Sequence, residues 1–237
     1  MSQPFAVFDI DGTLIRWQLY HATADALAKG GAIDDETFAA IRSSRMAWKN
    51  RTHPEAFKDY ERALVTAYER MLKQLSPAAF DQAVAKVIEQ YKEQTYTYTR
   101  QLIKDLRKQH YLLLAISGSQ MELIAKLADY YGFDDYLGTE YKRSKDHFTG
   151  EVIHYASDKQ KALQSLVDKH QLAFAGSIAI GDSASDIPML EMVEQAIAFN
   201  PDRTLFDTAR KNGWPIVVER KNVVYELQKD KKGYVLE

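Results

Sequence analysis

Short apolar runs recur along the chain, and each ends in small or acidic polar residues. The runs are FAVFD (5–9), YLLLAISGS (111–119), SIAIGDSASD (177–186), QAIAFN (195–200) and WPIVVE (214–219). Apolar residues on both faces are typical of strands buried in a parallel sheet. Helical patterns such as QMELIAKLADYYG separate the later runs, which favours right-handed βαβ crossovers. We therefore predict an α/β fold with a doubly wound, Rossmann-like parallel sheet.

The stretch between the first two strands is too long for one crossover helix, and its pattern is helical. Apolar positions recur three or four residues apart, at Tyr60, Leu64, Tyr68, Met71 and Leu75. Gly30-Gly31 is typical of a helix end and Asp34-Asp35 of the next helix start. Ser76-Pro77 is typical of an N-cap followed by the first helical residue. This stretch is therefore predicted to be an inserted helical bundle.

These patterns predict a two-domain organisation. Residues 1–16 and 92–237 form the α/β core, and residues 17–91 form a helical cap. Because ligands bind beyond the carboxyl ends of parallel strands, a cap inserted after the first strand is a natural lid. Within the core, residues 136–155 have two β-favouring stretches around a polar centre, which predicts a β-hairpin.

Two pairs of aspartates follow two of the predicted strands. Asp9 and Asp11 follow the first strand, and Asp182 and Asp186 follow the run at 177–186. The carboxyl ends of parallel strands share one edge of the sheet, so we expect the two pairs to face each other. Four neighbouring carboxylates repel one another, and their protonation at pH 7 would need large pKa shifts. A divalent cation is the expected counter-charge, and the all-oxygen donor set favours Mg²⁺ over zinc.

Other interpretations of the first pair are weaker. A turn with solvated aspartates is common at strand ends and remains open for this stretch alone. A helix-loop-helix calcium site needs glycine at its sixth position and glutamate at its twelfth, and counting from Asp9 these are Leu14 and Tyr20. The calcium interpretation therefore fails.

Two further features supply what phosphoryl transfer requires. Ser117, Gly118 and Ser119 end the second strand with a hydroxyl and small-residue backbone, directly before a predicted helix, and such turns bind phosphate. Lys159 begins another predicted helix, where a lysine is slightly unfavourable by the helix dipole. Each signal is weak alone, because a turn and a solvated lysine are the ordinary alternatives. Together with the aspartates they indicate a phosphate site.

These segments, in this order, resemble the motifs of the haloacid dehalogenase superfamily of phosphohydrolases. The matching segments are DIDGT (9–13), Ser117 in AISGS, Lys159 in DKQKAL and GDSASDIPML (181–190). The helical insertion is similar to the C1 cap of the phosphoserine phosphatase-like branch. The resemblance implies a Mg²⁺-dependent phosphomonoesterase that forms an aspartyl-phosphate intermediate on a small phosphorylated metabolite.

The resemblance also implies roles for the residues that carry out the reaction. Asp9 would be the nucleophile and a metal ligand. Asp11 would protonate the leaving alcohol and then deprotonate the attacking water, while its backbone carbonyl also binds the metal. Ser117, with the N–H of Gly118, would hold the phosphoryl oxygens. Lys159 would offset negative charge during transfer.

The remaining roles concern the metal and the substrate. Asp182 would complete the metal site, Asp186 would orient Lys159 or metal-bound water, and Thr13 would fix the loop after the nucleophile. Gln18 stands where phosphoserine phosphatases have a glutamate that meets the substrate's amino group, so phosphoserine specificity is in question. Ser185 likewise replaces an asparagine of those enzymes. Candidate groups for a second substrate anion are Arg16, Arg42, Arg45 and Arg51.

Composition restricts the partners. The chain of 237 residues is 46% hydrophobic, enough for a sizeable core. The formal charge of −2 and the lack of a basic block lead us to expect no nucleic-acid partner. There is no cysteine, and no apolar stretch approaches the ~20 residues of a membrane span. We expect a cytoplasmic protein with no membrane partner.

Two alternative functions stay open at this point. The aspartyl-phosphate could pass its phosphoryl group to an acceptor other than water, as in a phosphotransferase. A catalytically silent phosphate-sensing module could also keep the fold. Dehalogenation is disfavoured, because carbon–halogen cleavage needs neither a metal nor an acid such as Asp11. The substrate and the oligomeric state are not set by these motifs.

Overall fold

The computed structural model describes residues 3–32, 34–53, 55–72, 74–230 and 233–236. Within these ranges the strands are β1 (Phe5–Phe8), β2 (Leu112–Gln120), β3 (Asp135–Arg143), β4 (Phe148–His154), β5 (Ile178–Gly181), β6 (Gln195–Phe199), β7 (Ile216–Arg220), β8 (Val223–Asp230) and β9 (Gly233–Leu236). The α-helices are α1 (Leu19–Lys29), α2 (Asp35–Lys49), α3 (Ala56–Leu72), α4 (Pro77–Tyr91), α5 (Thr97–Lys108), α6 (Met121–Tyr131), α7 (Lys159–Lys169), α8 (Ile187–Leu190) and α9 (Arg203–Asn212).

The strands form one sheet whose centre is parallel. The strand order is β4-β3-β2-β1-β5-β6-β7-β8-β9, and β3, β2, β1, β5, β6 and β7 pair in parallel. The chain moves outward from β1 through β2 and then returns to place β5 on the other side of β1. The order of the strands therefore reverses at β1, where α/β folds bind ligands. The predicted α/β fold with a parallel sheet is confirmed.

The central strand is held by apolar contacts on both faces. All four residues of β1 are buried, and Phe5 lies opposite Leu112 of β2 while Ala6 lies opposite Ile178 of β5. The core includes residues of β1, β2, α7 and β5, such as Val7, Leu114, Leu163 and Ala179. Continuous apolar runs thus form buried strands because helices cover both faces.

The chain divides into two compact units. The core unit is Met1–Gln18, Gln90–Glu140 and His154–Glu237, and the inserted unit is Leu19–Glu89 with Tyr141–Ile153. The domain boundaries at 16/17 and 91/92 stay a prediction. Among the described residues, no helix is both long and apolar enough to cross a membrane.

Helix caps in the inserted unit follow the sequence signals. Gly31 adopts a positive φ of 76° directly after α1, as expected for a glycine helix end. The carboxylate of Asp34 accepts the N–H of Thr37 at 2.8 Å and caps α2. Ser76 Oγ accepts the N–H of Ala79 at 3.2 Å at the start of α4. The predicted helix limits at these positions are confirmed.

The packing of the inserted unit joins its helices to the tip of a hairpin. Phe80 of α4 packs edge-on against Phe148 of β4, with ring centroids 5.4 Å apart. Arg143 forms an ion pair with Asp81 at 2.7 Å. Strands β3 and β4 are neighbours in the sheet, and the turn between them is closed by Ser144 N–H donating to the His147 carbonyl. The hairpin predicted at 136–155 is confirmed.

The sheet also has two antiparallel strands that were not predicted from the sequence. β8 pairs with β7, and β9 pairs with β8. Charged residues interrupt the apolar pattern of this segment, for example Glu226 and Lys229, which obscures a strand. Its run Val223–Tyr225 is β-branched and aromatic, and this was the signal available.

Candidate active site

A tight loop follows β1 and carries the first aspartate pair. Asp9 N–H donates to the carbonyl of Ile180 in β5 at 2.9 Å, which ties this position to the neighbouring strand. The carbonyl of Ile10 accepts the N–H of Ile15 at 2.9 Å and closes the loop. Gly12 has a φ of +90°, a conformation that residues with a side chain rarely adopt. The loop therefore directs Asp9 beyond the end of the sheet at a fixed position.

Asp182 reaches the same place from β5. A Cβ on Gly12 would lie 2.1 Å from Asp182 Oδ2, so the carboxylate occupies the space that glycine leaves open. Carboxylate oxygens of Asp9, Asp182 and Asp186 all lie within 4.8 Å of one another. Of the four aspartates predicted to face each other at the carboxyl ends of β1 and β5, these three are found together, whereas the Asp11 carboxylate is not part of the group.

Lys159 lies inside this acidic group. The side chain is buried, and its Nζ donates to Asp9 Oδ1 at 2.7 Å, to Asp186 Oδ1 at 2.5 Å and to the carbonyl of Ile116 at 3.3 Å. All three ammonium hydrogens can therefore be used. Lys159 is the first residue of α7, where the helix dipole disfavours a cation, and the two carboxylates offset this cost.

Both carboxylate oxygens of Asp186 accept hydrogen bonds from neighbouring groups. Its Oδ2 accepts the N–H groups of Asp182 at 3.0 Å and Ser183 at 2.9 Å, while Oδ1 accepts from Lys159. A Cβ on Gly181 would lie 2.5 Å from Asp186 Cβ, so the close packing requires glycine there. Because both oxygens already have donors, Asp9 and Asp182 have more capacity for direct metal binding than Asp186.

The end of β2 contributes Ser117 and an interruption in the sheet. Pairing between β2 and β3 shifts register between Ile116 and Gln120, which takes the Ser-Gly-Ser segment out of the regular ladder. Ser117 Oγ donates to Asp11 Oδ2 at 2.7 Å, and the N–H of Ser119 donates to Ser117 Oγ at 2.9 Å. Gly118 is exposed, and a Cβ there would meet nothing within 4 Å. The space beside Gly118 is therefore open to a ligand.

Burial and mutual repulsion raise the pKa values of two carboxylates in this acidic group. Burial raises the pKa of Asp9 to about 7, and the negative charge of Asp186 adds to this increase while Lys159 opposes it. Burial likewise raises the pKa of Asp182 to about 9, with Asp9 as the next contributor. Burial alone would lower the pKa of Lys159, but Asp186 and Asp9 raise it above its ordinary value. A divalent cation would offset the repulsion that raises these pKa values, and the carboxylate oxygens are donors that suit a hard divalent cation.

Thr13 and Gln18 are placed differently from each other. Thr13 is buried and its carbonyl accepts a hydrogen bond from Thr99 Oγ1 at 2.9 Å. Within the described part of the chain, the Thr13 hydroxyl has no hydrogen-bond partner. Gln18 is the last residue of the first segment of the core unit and is half-buried. Their substrate-binding roles stay predictions.

Two arginines considered for a substrate anion are engaged elsewhere. Arg16 forms an ion pair with Glu219 and donates from Nε to the carbonyl of Thr95 at 2.7 Å. Arg45 pairs with Asp25 at 2.9 Å in the inserted unit. In these contacts both guanidinium groups pair with carboxylates of the protein itself rather than with a substrate anion.

The sequence analysis did not single out two acidic residues, Glu219 and Asp202, whose carboxylates accept backbone N–H groups of other segments. Glu219 lies within the apolar run of β7, and the partners of its carboxylate are more than a hundred residues away in sequence. Asp202 follows Asn200-Pro201 at the start of α9. An aspartate before an amphipathic pattern is a helix-start signal, and this signal could have drawn attention to Asp202.

The sequence was compared with known families and proteins. The family model described as haloacid dehalogenase-like hydrolase matches residues 6–191. A histidinol-phosphatase of Neisseria meningitidis is 24% identical over 227 residues, covering 90% of this chain and 97% of that protein. A phosphoserine phosphatase of Archaeoglobus fulgidus is 25% identical over 206 residues, covering 86% of this chain and 54% of that protein.

A solved structure gives the same result at the level of the fold. A phosphoserine phosphatase, described as a phospho-aspartyl intermediate analogue, superposes with a TM-score of 0.62 at 20% identity. The match covers 94% of this chain and 96% of that one. In fold the chain is similar to phosphoserine phosphatases, and the helical region between β1 and β2 is consistent with a C1 cap.

Proposed function

The chain belongs to the haloacid dehalogenase-like hydrolases and is a phosphatase, and we propose that it hydrolyses phosphomonoesters in a Mg²⁺-dependent reaction. In this reaction Asp9 would form an aspartyl-phosphate intermediate. The observation that carries the proposal is the contact of Lys159 Nζ with both Asp9 and Asp186, beside Asp182. This arrangement holds a nucleophile, a cation and an acidic metal site within one small volume.

The metal would be held by the carboxylates of Asp9 and Asp182 and by the backbone carbonyl of Asp11. When bound, Mg²⁺ supplies positive charge to the phosphoryl oxygens and lowers the repulsion between these oxygens and the nucleophile. The acidic group Asp9, Asp182 and Asp186 is consistent with the metal site of this family. The oxygen donors and the phosphate group of the proposed substrate support Mg²⁺ as this ion.

In the first step, an oxygen of Asp9 attacks phosphorus. The bond between phosphorus and the ester oxygen breaks, and Asp11 donates a proton to the departing alcohol. Lys159 donates to Asp9 Oδ1 at 2.7 Å and so orients this carboxylate, one oxygen of which attacks while the other would bind the metal. Ser117 contacts Asp11 Oδ2 at 2.7 Å, which fixes the acid beside the phosphoryl group.

In the second step, water attacks the phosphorus of the aspartyl-phosphate. Asp11, now ionised, takes a proton from this water, and the bond between phosphorus and Asp9 breaks to release inorganic phosphate. Lys159 offsets the charge on the phosphoryl oxygens in both steps. The Gly118 N–H holds these oxygens together with the Ser117 hydroxyl, whose single hydrogen turns from Asp11 to the substrate when the phosphate binds. The enzyme returns to its initial state with Asp11 protonated.

The substrate we propose is a small phosphomonoester that carries an amino group near the phosphate. Relatives named histidinol-phosphatase and phosphoserine phosphatase support this class, since both names denote phosphate esters of amino alcohols or amino acids. Gln18 can accept a hydrogen bond from an ammonium group but cannot neutralise it. We therefore expect the preferred ester to carry an amino group that a neutral amide at Gln18 can bind, without a carboxylate to neutralise it.

The test is phosphate release from p-nitrophenyl phosphate and a panel of phosphorylated amino alcohols, amino acids and sugars. We expect turnover with Mg²⁺, none in EDTA and none for Asp9→Asn. Asp207→Asn is the matched control, since Asp207 is an exposed residue of α9 paired with Arg203. Mass spectrometry of an acid-quenched reaction should find phosphate on the peptide that contains Asp9.

Three results would contradict the proposal. Turnover in the presence of EDTA would contradict the requirement for a metal ion. An active Asp9→Asn enzyme would contradict the assignment of Asp9 as the nucleophile. Alcohol release that exceeds phosphate release in the presence of glycerol would show transfer to an acceptor other than water.

A further inference from the structure

The loop from Asp182 to Ala184, called here the 182–184 loop, is held at every backbone N–H by a carboxylate. Asp186 Oδ2 accepts the N–H groups of Asp182 and Ser183 at 3.0 and 2.9 Å. The third N–H, that of Ala184, is accepted by Asp202 Oδ2 at 3.0 Å. Asp186 lies inside the acidic site, whereas Asp202 approaches the loop from outside it. Two separate carboxylates therefore fix the loop that carries Asp182.

Asp202 contacts this loop twice and also caps α9. Its own N–H donates to the carbonyl of Asp182 at 2.8 Å. Its second carboxylate oxygen, Oδ1, accepts the N–H of Leu205 at 2.8 Å and caps α9. One side chain thus couples the start of a ten-residue helix to the backbone of the 182–184 loop.

We propose that Asp202 is a positioning residue for Asp182 as a metal ligand, an inference that rests on the proposed Mg²⁺ site. Asp182 must keep its carboxylate against Gly12 and close to Asp9, although the like charges repel. With its peptide groups fixed on both sides, Asp182 keeps this position before the cation arrives. The loop then loses less conformational freedom when the metal binds, which raises the affinity.

Substitutions can separate the two tasks of Asp202. Asp202→Ser keeps an N-cap, because a serine hydroxyl can accept the N–H of Leu205, but its one short oxygen cannot also serve Ala184. Asp202→Ala removes both side-chain contacts. Asp34→Ala is the matched control, since Asp34 caps α2 at the same distance of 2.8 Å in the inserted unit.

The experiment is isothermal titration of the complete protein with MgCl₂, with thermal unfolding measured on the same samples. Residues that orient metal ligands typically contribute about 10–100-fold to affinity. We expect Asp202→Ser and Asp202→Ala both to bind Mg²⁺ about tenfold more weakly than the wild type. Asp34→Ala should bind Mg²⁺ normally despite its lost cap, and Asp202→Ser should unfold close to the wild-type temperature. Saturating Mg²⁺ should restore most of the turnover of Asp202→Ser.

Three negative outcomes are distinguishable. If the wild type binds Mg²⁺ and Asp202→Ser binds it equally well, the positioning role of Asp202 is wrong while the proposed function stands. If the wild type itself shows no Mg²⁺ binding, the proposed metal site is wrong. Equal weakening by Asp34→Ala would also overturn the inference, because the effect would then follow from lost helix capping.

Discussion

Lys159 Nζ lies 2.7 Å from Asp9 Oδ1, although the two residues are 150 positions apart in sequence. The contact joins the first residue of α7 to the end of β1. A cation in this position lowers the cost of burying Asp9 in its ionised form, which is the form that attacks phosphorus. The reactivity of Asp9 therefore depends on a side chain from a distant helix.

Lys159→Met should reduce turnover by about 10²–10³-fold or more, since a preorganised positive group that faces the developing charge is lost. Lys161→Met is the control, because Lys161 lies on the same helix but is exposed and pairs only at the surface with Asp158. Steady-state kinetics with saturating Mg²⁺ would measure the effect. A Lys159→Met enzyme with more than a tenth of wild-type turnover would contradict the assigned role.

Asp11→Asn should slow hydrolysis of alkyl phosphates by about 10²–10⁴-fold, because the leaving alcohol then lacks a proton donor. The loss should be smaller with p-nitrophenyl phosphate, whose leaving group needs no proton. Comparison of kcat for the two substrates measures this difference. Equal losses for both esters would show that Asp11 does not act as the acid.

Gln18→Glu should favour substrates that carry an ammonium group, because a carboxylate can pair with that group whereas the amide cannot. We expect kcat/KM to rise for phosphoserine relative to a sugar phosphate. Gln18→Leu serves as the control that removes the polar group. An unchanged ranking across the panel for both variants would place Gln18 outside the substrate pocket.

Glu219→Gln should lower the free energy of unfolding by about 2–4 kcal/mol, since it disrupts a buried charged acceptor. The Glu219 side chain is 1% exposed, accepts the N–H groups of Thr97 and Tyr98 at 3.0 and 2.9 Å, and pairs with Arg16. Urea denaturation measures the loss. Asp207→Asn, which weakens an exposed ion pair, should change stability by less than about 1 kcal/mol. A similar small change for Glu219→Gln would mean that the buried pair adds little.

Acid should destabilise the protein partly through His21. Burial lowers the pKa of His21 from 6.5 to about 4, and the positive charge of Arg45 adds to the effect. The folded state binds the proton more weakly than the unfolded state, so the contribution is present above pH 6.5 and is lost as the pH falls to about 4. The size of this contribution is about 3 kcal/mol. The His21 ring packs against Tyr60 with centroids 4.7 Å apart.

The difference between wild type and His21→Gln, measured by urea unfolding between pH 7 and pH 4.5, isolates this contribution from other acid effects. The variant should lose less stability over this interval than the wild type. His147→Gln, at an exposed position in the hairpin turn, should follow the wild type. Parallel curves for wild type and His21→Gln would show that His21 does not titrate as described.

Local patterns predicted the strands and the grouping of the aspartates. Buried parallel strands leave a continuous apolar run, and their carboxyl ends must share one edge, so Asp9 and Asp182 could be placed together without coordinates. Helix limits at Gly31, Asp34 and Ser76 were equally local, because caps depend on neighbouring backbone groups. Such features need no knowledge of tertiary contacts.

The supporting contacts could not be predicted in the same way. Arg16 and Glu219 are 203 positions apart, and nothing in the sequence near either residue specifies the partner. Asp202 could be read as a helix cap, but its second oxygen bonds to Ala184 only because β5 and β6 are neighbours in the sheet. The strands β8 and β9 pair in antiparallel fashion, and charged residues such as Glu226 and Lys229 interrupt the apolar pattern that would have predicted β8.

The central position of β1 has a consequence for synthesis on the ribosome. β1 is made first, yet it pairs with β2 from residue 112 and with β5 from residue 178. Translation proceeds at about 5–20 residues per second, so the first strand waits several seconds or more for its second neighbour. Once β2 has been made, the nascent chain contains Asp9, Ser117 and all of the inserted helices, but the side of β1 that pairs with β5 is still open, and Asp182 and Asp186 have not been added. A chain that stalls before residue 178 should thus be a substrate for chaperones and proteases rather than a partly active enzyme.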